Sequence, residues 1–395
     1  MSGAKETGSK TFKVAFITSS NLRDWDGIAH VIHEYTINKP ENVNLTIVHS
    51  FTSKSTRVSS DFIKEAFEGA RIIGVDIPIS RMNLQKSKLF RLLLVDGVMM
   101  PMFSLLFKHV TRRRFYEEIG SPDIVYYPSI SDAGRFLRKR KGVLVVVSEH
   151  AWSLNTSYII RRLSLKLIRK GMLSRNIDMF HLFPAQKEAL NTGISGFTLP
   201  NGVDTQKFVP AAKSSENLKI LFFARLEPCK GIETVLAIWS KIKDKEGIEL
   251  TVMGSGSMKE RVQAINDNNF HYLGFVEEEK LPDVIAHCDI LVYPSTCDTF
   301  SLVVLQALSC GLYVITNDLI ARNFVEFERI GQLISINNSV DSYVEEILDF
   351  RERKKDFSKT ESRSICESQY DWSAVSHQLY DILIADWKEK VNLKK

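Results

Sequence analysis

Cysteine is scarce in this chain and is absent from its first half. The chain of 395 residues has five cysteines, at Cys229, Cys288, Cys297, Cys310 and Cys366. Their spacings match neither a Cys-x-x-Cys metal site nor a framework of paired disulfides. We therefore interpret them as the reduced thiols of a cytosolic protein.

Signals of secretion, of nucleic-acid binding and of a metal centre are also missing. The first twelve residues are polar and lack the apolar segment that a signal peptide requires. No zinc-finger, RRM or KH signature occurs, so we expect no nucleic-acid partner. No His, Asp or Glu cluster with metal-ligand spacing is visible, and we expect neither a metal nor a cofactor.

An apolar-rich stretch at residues 89–109 does not meet the requirements of a membrane span. Arg91, Asp96, Pro101 and Lys108 interrupt it within the ~20 residues that a spanning helix needs. We expect a helix of the first domain that is either buried or faces a membrane.

Length and charge indicate two domains with different partners. A chain of this length exceeds the usual roughly 100–200 residues per domain. Residues 1–200 carry 29 Lys and Arg against 17 Asp and Glu, a balance of +12, whereas residues 201–395 carry 23 against 30, a balance of −7. This asymmetry favours an anionic partner for the N-terminal half, such as a membrane surface or a lipid-linked phosphate.

Much of the N-terminal positive charge lies in three segments, namely residues 112–114, 135–141 and 157–175. On the last of these, a predicted helix, basic residues recur at helical spacing and form one face: Arg162, Lys166, Arg169 and Lys170. A solvated surface and a membrane-docking surface are both open interpretations of this face.

Short apolar runs alternate with segments that can form helices throughout the chain. In the first half the predicted strands are Lys13–Thr18, Leu45–His49, Arg71–Val75, Asp123–Tyr127 and Val143–Ser148. In the second half they are Leu218–Ala224, Glu249–Met253, Phe270–Leu273, Asp289–Tyr293, Leu312–Thr316 and Gln332–Ser335. This alternation predicts an α/β protein with parallel sheets covered by helices on both faces.

The segment Pro294–Gly311 places a strand end, a turn and a helix N-terminus in succession. We predict a helix over Ser301–Cys310 that Gly311 ends. The first backbone amides of a helix have no partner within it and lie at the positive end of its dipole. We therefore expect a phosphate or a sugar hydroxyl to bind the amides of Phe300, Ser301 and Leu302.

Asp298 lies at this turn, and Gln306 lies about two helical turns further along. One interpretation is a capping residue followed by a solvated polar residue. The pair also resembles the Glu-x7-Glu motif of retaining nucleotide-sugar glycosyltransferases with the GT-B fold, family 4, the glycosyl transferases group 1. That resemblance implies that Asp298 positions the donor sugar and that Gln306 faces the ribose, where the family uses a carboxylate.

Two further segments resemble motifs of this family. Ala224–Gly231 is similar to "G-R-L-x-x-x-K-G", which implies that Arg225 and Lys230 contact the two phosphates of the donor. Two glycine turns resemble those that border the nucleotide base, and they place there Gly254, Phe275 and Val276.

The remaining motifs concern the hinge and the acceptor side. Leu199–Asp204 resembles the family's hinge, where Asn201 and Gly202 are expected to permit positive backbone angles, and Asn201 is expected to contact the donor. The resemblance places Gly27 in a loop on the acceptor side of the cleft and His150 near the donor sugar. A plain turn and an ordinary surface histidine are the alternatives.

The resemblance covers nearly the whole chain and implies a GT-B fold, in which two Rossmann-like domains with parallel sheets face each other across a cleft. It divides the chain into a disordered N-terminus (1–11), an acceptor domain (12–200), a nucleotide-sugar domain (201–370) and a C-terminal helix (371–395) that crosses back to the first domain.

The implied reaction is a retaining, metal-independent transfer of a sugar from a nucleoside diphosphate donor. The acceptor would be a glycolipid, a lipid-linked saccharide or a polysaccharide, and the protein would be cytoplasmic with peripheral contact to anionic membrane. The implied catalytic residues are Asp298, Lys230, Arg225 and His150. Cationic side chains and the helix amides would stabilise the leaving diphosphate in place of a metal ion.

Two other functions are compatible with these residues. The chain could be a non-catalytic subunit that binds a nucleotide sugar or a partner, because Gln306 and Ser301 depart from the family pattern. A sugar-nucleotide epimerase of the same fold is the second alternative, although no particular residue favours it.

Overall fold

A computed structural model describes residues 10–18, 20–24, 27–51, 59–76, 120–128, 142–148, 178–181, 196–212, 216–298, 300–336 and 339–391. Several predicted features lie outside these ranges: the stretch 89–109, the three basic segments and His150.

The N-terminal half of the chain forms a seven-stranded sheet in which every described pairing is parallel, in the order β3-β2-β1-β4-β5-β6-β7. The strands are β1 (Phe12–Thr18), β2 (Val43–Phe51), β3 (Ala70–Asp76), β4 (Ile124–Tyr127), β5 (Leu144–Ser148), β6 (Asp178–His181) and β7 (Gly196–Thr198). Every residue of β4 and β5 is buried, as expected for a parallel sheet covered on both faces.

Helix α1 (Gly27–Ile37) follows β1, and α2 (Ser60–Ala66) lies between β2 and β3. On α1 the buried residues include Ala29, Ile32 and Tyr35, which recur every three positions. This spacing gives the helix one apolar face, which packs in the core of the first sheet.

The C-terminal half forms a six-stranded sheet, again with parallel pairings, in the order β10-β9-β8-β11-β12-β13. The strands are β8 (Leu218–Phe223), β9 (Ile248–Met253), β10 (Phe270–Gly274), β11 (Ile290–Tyr293), β12 (Tyr313–Thr316) and β13 (Leu333–Ser335). The helices are α3 (Ile232–Ile242), α4 (Lys259–Gln263), α5 (Leu281–Ala286), α6 (Leu302–Ser309), α7 (Asp318–Ala321), α8 (Val325–Arg329), α9 (Val340–Arg353) and α10 (Thr360–Ile365). Each predicted strand is present, and its ends differ from the predicted ones by at most two residues.

The last helix, α11 (Trp372–Lys390), packs into the core of the first sheet although it follows the second sheet in the chain. Its apolar residues join the same hydrophobic cluster as Phe12 and Phe16. The Tyr380 hydroxyl donates a 2.8 Å hydrogen bond to the Tyr35 carbonyl on α1. The first unit is therefore completed by residues from the far end of the chain.

Gly202 has a different role from the one we predicted. Its φ is not positive, in contrast to nine other glycines of the described chain. A Cβ atom at this position would lie 2.6 Å from Cδ2 of Trp372. Glycine is therefore required here because α11 begins directly against this backbone, and not because of a left-handed conformation.

Within the described residues, no helix combines the length and the apolar character needed to cross a membrane.

Candidate functional site

The order of the second sheet reverses direction between β8 and β11. From β8 the chain proceeds outward to β9 and β10, and from β11 it proceeds outward on the other side to β12 and β13. The chain therefore continues to opposite sides of the sheet after β8 and after β11, and a crevice is expected at this reversal. In open parallel sheets, ligands bind in this crevice, beyond the carboxyl ends of the strands.

Lys230 and Asp298 meet at this reversal. Lys230 ends the short 3-10 helix Pro228–Lys230 after β8, and Asp298 lies in the loop after β11. The Lys230 Nζ donates to Asp298 Oδ1 in an ion pair whose side chains are 13% and 19% exposed, respectively. The pair is thus shielded but still accessible from the crevice.

Two hydroxyls hold the other oxygen of the Asp298 carboxylate. Ser295 Oγ donates to Asp298 Oδ2 at 2.7 Å, and the Tyr293 hydroxyl donates to the same oxygen at 2.5 Å. Burial alone would raise the pKa of Asp298, but the Lys230 charge and these hydrogen bonds outweigh it, so this pKa is lowered. Asp298 is therefore a fixed, ionised hydrogen-bond acceptor.

The two loops are joined through their backbones as well. The Cys229 carbonyl accepts a 2.8 Å hydrogen bond from the Thr296 amide. Gly231 has φ +87°, and a Cβ there would lie 2.6 Å from the carbonyl oxygen of Pro294. Only glycine permits this approach and this backbone angle, so Gly231 allows the Lys230 loop to reach the end of β11.

Two cysteine thiols flank this ion pair. Cys229 precedes Lys230 and Cys297 precedes Asp298, and their Sγ atoms are 2.7 Å apart. Cys229 is exposed and Cys297 is half-buried. Burial and the contact with Cys229 raise the pKa of Cys297 to about 11, so that thiol is protonated at neutral pH.

Helix α6 begins at the same edge of the sheet. Ser301 is its N-cap, and the Ser301 Oγ accepts a hydrogen bond from the Val304 amide at 3.4 Å. The helix spans Leu302–Ser309, one residue shorter at each end than predicted. Gln306 lies on it half-buried, and Gly311 ends the segment with φ +73°.

The loop after β9 lies against the Arg225 loop so closely that it requires glycine. A Cβ on Gly254, which has φ +125°, would lie 1.8 Å from the Ala224 carbonyl oxygen, and one on Gly256 would lie 2.6 Å from the Leu226 carbonyl oxygen. Arg225, in the loop after β8, is exposed. Beyond β10, the Phe275 side chain is 74% exposed, which is unusual for a large apolar residue, and Val276 beside it is half-buried.

Two other predicted residues belong to other segments of the chain. Gly27 is the first residue of α1 and is exposed, and a Cβ atom added to it would meet no neighbouring atom within 4 Å. Asn201 is buried at 5% exposure beside Gly202 at the start of α11. Neither position is brought against Lys230 or Asp298 by a described contact, and their roles in binding stay predictions.

One group of chemically active side chains was missed at the level of sequence. His30, His33 and Glu34 on α1 bring one ligand-type atom each to within 4.8 Å of one another. The expectation that no cluster has metal-ligand spacing was therefore wrong. The signal was present as His-x-x-His-Glu, because residues three and four apart share one face of a helix.

The fold and the site together define a two-domain α/β protein with a ligand crevice at the reversal of its second sheet. Residues 217–352 match the sequence model of the family described as glycosyl transferases group 1. Over 206 residues the chain is 26% identical to the phosphatidyl-myo-inositol mannosyltransferase of Mycolicibacterium smegmatis, an alignment that covers 49% of this chain and 52% of that protein. The chain spans about half the length of the curated relatives it matches.

Solved structures resemble the chain over almost its full length. Sucrose-phosphate synthase from Thermosynechococcus elongatus superposes with a TM-score of 0.71 at 17% identity, covering 95% of this chain and 100% of that one. Anabaena HepE, solved in complex with UDP and glucose, superposes with a TM-score of 0.67 at 14% identity, covering 94% and 99%. The chain therefore has the GT-B fold, and its residues 217–352 match the sequence model of the group 1 glycosyltransferases.

Proposed function

We propose that this protein is a retaining glycosyltransferase that moves a hexose from a nucleoside diphosphate sugar to an acceptor. The observation that carries the proposal is the Lys230–Asp298 ion pair at the reversal of the second sheet. It presents a cation for the diphosphate and a fixed acceptor for sugar hydroxyls in one crevice. The UDP and glucose complex of the similar Anabaena protein supports a donor of this kind.

We propose that cationic side chains neutralise the diphosphate, as a divalent ion does in other glycosyltransferases. Lys230 and Arg225 face the phosphates, and the amides at the start of α6 lie at the positive end of its dipole. Negative charge grows on the diphosphate as the glycosidic bond to it breaks. Preorganised positive groups stabilise that charge more in the transition state than in the ground state.

The test is a panel of nucleotide sugars assayed with and without candidate acceptors, starting with UDP-glucose. Release of nucleoside diphosphate that depends on acceptor, unaffected by EDTA, with retained anomeric configuration by NMR, is the expected result. Binding of a donor without turnover for any acceptor would favour a non-catalytic subunit. Conversion of the sugar nucleotide alone would identify an epimerase, and an inverted product would refute retention.

For the acceptor we propose a lipid-linked molecule at the cytoplasmic face of a membrane. The similarity to a phosphatidyl-myo-inositol mannosyltransferase and the balance of +12 in residues 1–200 support this. Each surface cation near an anionic bilayer contributes about 1 kcal/mol, and salt screens it. Co-sedimentation with anionic liposomes is expected at low salt and should fade at high salt, whereas equal binding to neutral liposomes would contradict the proposal.

Replacing Gln306 by glutamate is expected to tighten nucleotide binding several-fold with little change in turnover. A hydrogen bond to a charged group is worth roughly 1.5–3 kcal/mol against about 0.5–1.5 for a neutral one. The ribose contact is made equally in the ground and transition states, so the stronger hydrogen bond should increase nucleotide affinity and leave turnover nearly unchanged. Titration calorimetry with the nucleoside diphosphate measures it, and Gln263→Glu, on the exposed part of α4, is the control. Loss of binding in Gln306→Glu would show that this position does not face a ribose.

Alkylation of Cys229 is expected to inactivate the enzyme, and the donor is expected to slow that reaction. Cys229 is exposed beside Lys230, whereas Cys297 is half-buried and burial raises its pKa. An adduct on Cys229 would occupy the space that the diphosphate needs. Treatment with N-ethylmaleimide followed by peptide mass mapping checks the site of reaction, and Cys229→Ser should retain activity and resist the reagent. Equal inactivation of that variant would place the sensitive thiol elsewhere.

A further inference from the structure

The His30, His33 and Glu34 side chains of α1 converge on one carboxylate oxygen. His33 Nδ1 lies 3.4 Å from Glu34 Oε1, and His30 Nε2 lies 4.0 Å from the same atom. The two histidine side chains are 19% and 21% exposed, and the Glu34 side chain is 7% exposed. Two imidazoles and one carboxylate are thus gathered in a partly shielded position.

This ligand set and its spacing suit a divalent transition metal. Zinc binds imidazole nitrogen and carboxylate oxygen at roughly 2.0–2.2 Å, so ligand atoms around one ion lie somewhat more than 3 Å apart. Two histidines with one carboxylate also form an open site, in which water or another group occupies the remaining position. Small side-chain rotations would bring the three described atoms to this geometry.

A fourth residue comes from the other domain. Glu278, in the 3-10 helix Glu278–Lys280 after β10, places Oε1 3.6 Å from His30 Nδ1. Nδ1 is the ring nitrogen that remains when Nε2 binds a metal. A carboxylate at that nitrogen fixes the tautomer and orientation of a metal-binding histidine and strengthens its bond to the ion.

The local charge also favours a cation. Burial alone would lower the pKa of Lys207, but the carboxylates of Asp204, Glu34 and Glu278 outweigh it and raise that pKa. Lys207 itself pairs with Asp204 at 3.1 Å, with its side chain 65% exposed. The carboxylates of Asp204, Glu34 and Glu278 therefore create a local field that favours a positive charge beside the geometric cluster on α1.

We propose that His30 Nε2, His33 Nδ1 and Glu34 Oε1 bind a divalent ion of the zinc class, with Glu278 of the second domain orienting His30. The ion would join α1 to the loop after β10. It is separate from the diphosphate chemistry proposed for Lys230 and Asp298, and it does not depend on the glycosyltransferase assignment.

The test is calorimetric titration of the EDTA-treated, dialysed full-length protein with ZnCl2, with MgCl2 as a second probe. We expect one zinc ion per chain, a rise in melting temperature with zinc, and no comparable effect of magnesium. His33→Gln should weaken zinc binding by more than about tenfold, since loss of an orienting partner alone costs roughly 10–100-fold in affinity. Glu278→Gln should weaken it by about 10–100-fold.

The matched control is His287→Gln. His287 Nδ1 lies 3.4 Å from Asp283 Oδ1 at an i, i+4 spacing, but it belongs to no group of three ligands in the described chain. This variant should bind zinc as the wild type does. Equal binding by wild type and His33→Gln, or no stoichiometric binding at all, would overturn the site. Unchanged affinity in Glu278→Gln, which alters only a half-exposed side chain and leaves α1 intact, would overturn the link between the domains.

Discussion

Replacing Lys230 by alanine is expected to lower turnover by roughly 10²–10³-fold, the usual cost of removing one preorganised group that stabilises transition-state charge. Lys230 is held in the crevice by Asp298, and the Cys229 and Thr296 backbones fix the loop around it. In the proposed reaction the charge on the leaving diphosphate is greatest in the transition state, so kcat should fall more than KM rises. Steady-state kinetics of nucleoside diphosphate release measures both.

Lys241→Ala is the matched control for this experiment. Lys241 forms an ion pair with Asp341 in the same domain, but its side chain is 47% exposed and lies on α3, away from the crevice. Exposed pairs of this kind contribute only about 0–1 kcal/mol to stability. Turnover should be unchanged in the control. A Lys230→Ala enzyme within a few-fold of wild type would show that another group carries the diphosphate charge.

Replacing Trp372 by alanine is expected to destabilise the N-terminal unit by about 3–5 kcal/mol, the usual cost of deleting a buried large aromatic side chain. Trp372 is 3% exposed, and its ring packs edge-on against Tyr35 at 5.9 Å between centroids. It also lies directly over Gly202. The variant therefore loses contacts both with α1 and with the segment that joins the two sheets. A fall of roughly 10 °C in the melting temperature of that unit follows from this loss.

Differential scanning calorimetry resolves this effect, because the two units have separate hydrophobic clusters and can give separate transitions. His377→Ala, an exposed position on the same helix, should leave both transitions in place. If Trp372→Ala lowered only the transition of the C-terminal unit, α11 would belong energetically to that unit. A change in neither transition would mean that the packing seen around Trp372 contributes little to folding.

Most strands could be predicted because a strand that is buried in a parallel sheet appears in the sequence as a short apolar run. A strand covered on both faces is largely apolar, and the predicted run Leu218–Ala224 differs from β8 only at its last residue. The strands that escaped prediction, β6 and β7, lack such a run. β7 is at the edge of its sheet, and its three residues are half-buried or exposed, so nothing local distinguishes it from a loop.

The sequence by itself therefore determined the alternation of strands and helices, the two-sheet class and the candidate residues Lys230 and Asp298, since each depends on local periodicity or on a short motif. Tertiary structure alone decided which distant groups meet. Asp298 and Lys230 are 68 residues apart yet share an ion pair, because the sheet reverses between β8 and β11. The contact of Gly202 with Trp372 and that of His30 with Glu278 also join residues that are far apart in the chain. Contacts between elements that are distant in the chain produce no regular pattern of residues in the sequence. They therefore could not be predicted before the elements were assembled.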